Sequence, residues 1–330
     1  MKSDKTNIKK NKAEKRRIMI PLIDRVKYYF SQQPLPHSAL QVSSRYLSGI
    51  RVSPNDRKLK HYFVLPLPED VIASSFHKKN IKDSAALENM VQQGLAKLHM
   101  TDHKVVLLLP ELSQKTFVFV FDSMPISPKE REQIILFRIK KQIPVLPKDT
   151  RLSYAMIKSN TKKKVLATIS RSAVVEEYEE IFSRLRLRVR VVGVPSLNLY
   201  NLIDNEKDKD FMLIDLERDA FSLLAITKSE ISLYRQKPIT EDFMDQKASM
   251  DQWMDIVQEV ENTAQFVENK EKRKIKCLWV RMGGFGSAED LLSSLEERCQ
   301  CPVKAIESSL EFNLPQVEKR LLAPLLGQLS

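Results

Sequence analysis

Glycine is scarce: the chain has seven in 330 residues. Backbone that wraps closely around phosphates needs several, because close approach and positive φ exclude side chains. The scarcity therefore argues against active phosphate chemistry. A Walker-type lysine loop, a dinucleotide fingerprint, H-E-x-x-H and G-x-S-x-G are all absent, and the enzyme classes built on them lose support. Cysteine is limited to Cys277, Cys299 and Cys301. Their odd number and the lack of paired C-x-x-C spacing argue against a zinc site and for unpaired thiols in a reducing compartment. Cys299 and Cys301 read as a helix end followed by a strand start. The five histidines, His37, His61, His77, His99 and His103, fall at irregular spacing on expected turns and element ends and read as solvent-facing. No window approaches the roughly 20 apolar residues of a membrane-spanning helix, and the charged N-terminus lacks the pattern of a secretory signal. The expected location is the cytoplasm.

What is present is a chain with 42% hydrophobic residues, enough for a substantial core in two or three units, and a formal net charge of +12. The charge is uneven. Residues 1–17 carry eight lysines and arginines against Asp4 and Glu14, so a disordered basic arm holds half the excess. Residues 18–37 read as a short amphipathic helix and linker, with Leu22, Val26, Tyr29 and Phe30 on one face. An arm of this kind fits either proximity to an anionic membrane surface or a solvated tail. No aromatic-basic platform accompanies it, so nucleic acid is not an expected partner.

From Ala39 the pattern turns to strands. Ala39 to Val52 and Leu59 to Leu67 form apolar runs around a Pro54-Asn55-Asp56 turn, and Leu87, Val91, Leu95 and Leu98 then recur at helical spacing. Strands at Val105 to Leu109 and Thr116 to Phe121 precede a helix opened by Ser127 and Pro128, with Ile135, Ile139 and Ile143 as its inward stripe. Strands around Leu152 to Ile157 and Val165 to Ile169 lead to a helix carrying Val174, Tyr178, Ile181, Phe182 and Leu185. Arg184, Arg186, Arg188 and Arg190 then alternate with apolar residues, the pattern of an exposed strand guarded by charge or of a basic edge for an acidic partner. Phe211 to Asp215, Phe221 to Ile226 and Glu230 to Arg235 form a meander. A long helix from Trp253 to Val267 and a strand from Ile275 to Met282 follow, and Ser287 and Asp290 read as a capping pair for the next helix.

Two places carry candidate chemistry. Gly283, Gly284 and Gly286, between a strand and a helix start, are able to bring backbone amides to a phosphate or ribose. Asp215 at a strand end suits a magnesium ion or its water, although Leu216 and Glu217 follow where a phosphate-approaching loop wants glycine.

From about residue 38 onward this order of elements resembles the actin-like family to which FtsA and PilM belong. Val105 to Pro110 with Phe117 to Phe121 and Met124-Pro125, Phe137 to Pro144, Pro195-Ser196-Leu197-Asn198-Leu199 and Ala323-Pro324-Leu325-Leu326-Gly327 look specifically like PilM. The resemblance implies an α/β, actin-like (ribonuclease H-like) two-lobe fold. Residues 38–103 plus 191–208 would form the first lobe, 104–190 an inserted subdomain and 209–330 the second lobe, whose helical subdomain is reduced to Lys237 to Met250. The departures fall where a nucleotide would bind: Gln41 and Ser43 stand where family members carry Asp and Gly, and Leu216-Glu217 follows Asp215. Gln41, Ser43, Asp215, Gly283, Gly284 and Gly286 thus mark a vestigial nucleotide cleft, with no catalytic residue or metal ligand assigned. The resemblance implies a pseudo-ATPase scaffold of the type IV pilus inner-membrane platform, peripheral to the membrane. It would bind the cytoplasmic tail of a PilN-like protein in a groove involving segments near residues 105–121 and 128–143, and contact the motor ATPases or platform protein. The alternative is an active ATPase holding ATP and magnesium.

Overall fold

A computed structural model describes residues 35–100, 102–157, 162–203, 210–239, 250–283, 289–310 and 312–329. The expected basic arm and nearly all of the segment 18–37 lie outside them, as do Gly284, Gly286 and Ser287.

Two five-stranded sheets repeat one plan. In the first lobe β1 (Ser38–Val42), β2 (Tyr46–Val52) and β3 (Leu59–Pro66) form an antiparallel meander, and β4 (Lys104–Leu108) and β8 (Arg188–Gly193) extend it in parallel, giving the order β3-β2-β1-β4-β8. In the second lobe β9 (Phe211–Leu216), β10 (Ala220–Thr227) and β11 (Glu230–Pro238) form the meander, and β12 (Leu278–Met282) and β13 (Val303–Ala305) the parallel pair, giving β11-β10-β9-β12-β13. Parallel additions need helical crossovers. These are α1 (Ser84–Leu98) before β4, α3 (Ser172–Arg184) before β8, α5 (Met250–Glu271) before β12 and α6 (Glu289–Cys299) before β13. Because helices cover the central strands, β9, β10 and β12 are buried along their whole length.

Each lobe has its own core. Leu87, Val91 and Leu98 of α1 and Val174, Tyr178, Ile181 and Phe182 of α3 pack under the first sheet; Ile256, Val257, Val260 and Val267 of α5 pack under the second. A third cluster joins the lobes through α4 (Pro195–Leu199) and α7 (Gln316–Leu329). Phe63 of β3 wedges between β2 and α1, and a Cβ added at Gly49 or Gly94 would lie 2.3 Å from its ring. Gly94→Ala is therefore expected to cost about 1–3 kcal/mol through overpacking, more than the ~1 kcal/mol of helix propensity it gains; a lowered urea midpoint would record this.

The inserted subdomain is a three-stranded antiparallel sheet, β5-β7-β6, of β5 (Gln114–Phe121), β6 (Thr150–Ile157) and β7 (Lys163–Arg171), with α2 (Pro128–Gln142) on one face. Phe119, Val165, Ala167 and Ile169 meet Ile135 and Ile139 of α2 there. Its extent is narrower than the expected 104–190: β4 and β8 are hydrogen-bonded into the first-lobe sheet and α3 packs beneath it, which leaves residues 114–171 for the insertion. Between β11 and α5 only residues 239–249 intervene, so the second lobe holds no comparable insertion there. Two further expectations change. Ala39 to Val52 is two strands rather than one run, turning at Ser43–Arg45, and His61 lies within β3 rather than at an element end.

Candidate functional site

The hairpins β1–β2 and β9–β10 face one another where the lobes meet, and the gap between them is filled by side chains of the protein. Arg281 stands in β12 beside Asp215 of β9, its register partner on the neighbouring parallel strand. It is the largest fully buried side chain among the described residues. Its Nη1 donates to Asp215 Oδ1 and to Glu217 Oε1, both at 2.7 Å, its Nη2 donates to Tyr46 Oη, and its Nε donates to the carbonyl of Arg320 at 2.7 Å. Tyr46, from the opposite lobe, donates to Glu217 Oε1 at 2.8 Å and accepts from Gln41 Nε2 at 3.1 Å. Three guanidinium nitrogens are thus engaged by protein acceptors from both lobes.

The network carries one guanidinium against two carboxylates. Burial lifts Asp215 above the ordinary carboxylate range, against the opposing pull of Arg281. Burial, supported by the charge of Asp215, pushes Glu217 up to about 8, again against Arg281. Burial thus biases Glu217 toward its protonated form, in which Arg281 and Asp215 stand as a neutral pair, the arrangement that burial favours. A third buried carboxylate, Glu111, follows β4 and joins the same layer. Its Oε1 accepts from Ser222 Oγ at 2.8 Å, from Ser196 Oγ and from Tyr234 Oη. Burial and the nearby Asp215 raise its pKa.

The expected cleft residues divide as follows. Gln41, Asp215 and Gly283 converge on this network. The Gly283 amide donates to the Leu216 carbonyl at 2.7 Å, and a Cβ at Gly283 would lie 2.6 Å from both Arg281 Nη2 and Glu217 Oε1. Glycine at 283 thus makes room for a guanidinium. Ser43 is used locally: its Oγ accepts from the amides of Arg45 at 3.1 Å and Tyr46 at 3.2 Å, closing the β1–β2 turn. Gly284 and Gly286 lie outside the described residues. Arg281 and Tyr46 escaped the sequence reading. The available signal was a lone charge in the otherwise apolar strand Leu278–Met282, two residues before the glycines. Beside the network a cavity of about 720 Å³ opens between the hairpin turns, lined by Ser44, Arg45, Lys82, Arg218 and Asp219 among others. At its rim Glu69 pairs with Arg45 and, at 3.2 Å, with Arg218.

A second concavity lies between the first lobe and the insertion. β8 is the outer strand of its sheet, and its end, Val192 to Val194, faces Leu152, Ser153, Ala155, Leu166 and Thr168 of β6 and β7 across about 190 Å³, with Val175 and Leu197 closing it. The lining is mainly apolar. Gln114 Nε2 donates to the Gly193 carbonyl at 2.9 Å and ties the two units together at one side. Of the two segments expected to form this groove, 105–121 contributes Gln114, while 128–143 is on the far face of the insertion sheet, because Ile135 and Ile139 bury α2 there. Strands β6 and β7 supply the wall instead.

No protein-family model and no curated protein matches the chain. Solved structures do. The chain superposes on a structure described as the PilM-PilN type IV pilus biogenesis complex with a TM-score of 0.75 and 18% identity, over 90% of this chain and 98% of the other. A Bacteroides thetaiotaomicron protein with an actin-like ATPase fold and unknown function matches with a TM-score of 0.56 and 10% identity, over 88% and 94% of the two chains. The duplicated lobe plan, the insertion after β4 and these likenesses together give the chain the actin-like two-lobe fold, shared along nearly its whole described length with the PilM-PilN structure.

Proposed function

We propose that the chain is a binding scaffold of a type IV pilus or related inner-membrane assembly platform, and that it captures the cytoplasmic tail of a PilN-like membrane protein without hydrolysing ATP. The observation that carries this reading is the apolar groove between the β8 end and the β6–β7 wall. An outer strand offers main-chain groups to an extended segment, and Val175, Val192 and Leu197 offer contact to its apolar side chains. The filled cleft supports the second half of the proposal. A metal and triphosphate would have to break the buried contacts of Arg281 with Asp215 and Glu217 and leave its guanidinium without those partners, a cost that buried ion pairs make large. In this reading the internal ion pair does the lobe-joining work that bound nucleotide would otherwise do. The protein works in the cytoplasm beside the inner membrane, where the assembly motors or platform protein are its further contacts.

The cavity between the hairpin turns, with Arg45, Lys82 and Arg218 around it, favours one alternative, an actin-like ATPase in which phosphates enter beside the ion pair. Calorimetric titration separates the two. With a synthetic PilN-like N-terminal tail peptide, micromolar binding is expected, while ATP with magnesium gives no heat of binding. Micromolar ATP binding together with magnesium-dependent turnover lost in Asp215→Asn would establish the ATPase instead.

A further inference from the structure

Six large apolar side chains are exposed among the described residues, and four of them fall between residues 126 and 145: Ile126 at 94%, Ile134 at 36%, Phe137 at 58% and Val145 at 85% exposure. Ile134 and Phe137 are one helical step apart on the outer face of α2, opposite Ile135 and Ile139, which are buried in the insertion core. Ile126 and Val145 stand just before and after the helix, so all four fall within one short stretch of chain that includes it. From Ile126 to Lys148 the sequence carries six basic residues against Glu130 and Glu132. Lys141 sits 4.7 Å over the Phe137 ring, and Lys129, Lys140 and Lys148 have no ion-pair partner among the described residues.

We infer that this outer face of α2 is a membrane-docking surface that rests on anionic phospholipid. The exposures of Ile126 and Val145 mean that the apolar tips protrude instead of lining a groove, which suits a flat, deformable boundary better than a second protein's sockets. Apolar tips at the acyl boundary with lysines at headgroup level are the arrangement of an interfacial helix, and a cationic rim is complementary to anionic lipid. The face lies on the side of the insertion sheet away from the tail-binding groove, so the inference stands independently of the groove's proposed occupant.

Flotation of the full chain with vesicles of phosphatidylcholine and phosphatidylglycerol tests this, because the basic arm of residues 1–17 is the same in every variant. Phe137→Glu combined with Lys140→Glu is expected to lower the bound fraction about tenfold, and all binding should fade in vesicles of phosphatidylcholine alone. The substituted residues are exposed, and an unchanged thermal midpoint would verify the fold. In a Phe137→Trp variant the new indole is expected to be quenched by brominated anionic lipid. If the protein floats with anionic vesicles but the indole stays unquenched and the double variant binds as before, the inference fails, and contact belongs to the arm. If no variant floats while the face binds an acidic protein helix, it fails as well.

Discussion

Arg281→Met is expected to lower the free energy of unfolding by about 3–5 kcal/mol at pH 7.5, the cost of leaving buried charge without its partner. The side chain is completely buried and its nitrogens serve Asp215, Glu217, Tyr46 and the Arg320 carbonyl. Methionine fills much of the volume and satisfies none of these acceptors. Adding Asp215→Asn and Glu217→Gln to the same chain is expected to restore a large part of the loss, because a neutral set of similar shape carries no desolvated charge. Urea unfolding of the three proteins reads this directly, and a loss under 1 kcal/mol for Arg281→Met would mean that water reaches the network.

The same site sets a pH dependence with a definite sign. Glu217, with its pKa raised to about 8, takes up its proton more readily in the folded chain than in the unfolded one, where it titrates near an ordinary glutamate. Its contribution is full below the unfolded value and is lost as pH rises through the folded one. Asp215 and Glu111, also raised by burial, act in the same direction. Asp210 acts in the opposite one: Arg273 holds its carboxylate below the usual range, so its contribution is lost only as the solution becomes strongly acidic. Stability is therefore expected to fall by about 1–3 kcal/mol as pH rises from about 5 toward 8, with Glu217→Gln flattening the slope. A wild-type stability that rises over this interval would mean that Glu217 is already ionised at neutral pH.

What the sequence disclosed follows from how local each signal is. The helices carrying Leu87 to Leu98, Val174 to Phe182 and Trp253 to Val267 are legible because 3.6-residue periodicity needs no knowledge of the partner. The turn at Ser43–Arg45 was hidden, since it is closed by a serine hydroxyl where glycine, proline or asparagine would have been the punctuation. The edge of the insertion was misplaced for a different reason: β4 and β8 pair in parallel, Lys104 with Arg188 and Leu108 with Gly193, and nothing local to either strand records that. The interlobe site is the extreme case. Asp215 and Gly283 stood out by their places at strand ends and Gln41 by likeness to a family pattern, yet the residue that unites them, Arg281, meets Tyr46 across a separation of 235 positions. A buried arginine becomes intelligible only when the two lobes are brought together.

Ala155→Trp is expected to weaken binding of a PilN-like tail peptide about 100-fold or more, which corresponds to about 2.7 kcal/mol. Ala155 lies on β6, the outer strand of the insertion sheet, with its Cα opposite Leu166 in the groove wall. An indole there occupies the space across which Val192, Val194 and Leu197 would meet the peptide. Each apolar side chain kept out of such a groove forfeits about 1.5–3 kcal/mol of burial, so displacing even one accounts for the loss. Because the position is partly open and at a sheet edge, unfolding is expected to change by less than about 1 kcal/mol. Phe137→Glu, on the opposite side of the insertion sheet, should leave peptide affinity as it was. Calorimetry on the three proteins locates the tail: an unaltered affinity in Ala155→Trp would move the binding site out of this groove, and a loss in Phe137→Glu would place it on the outer face of α2.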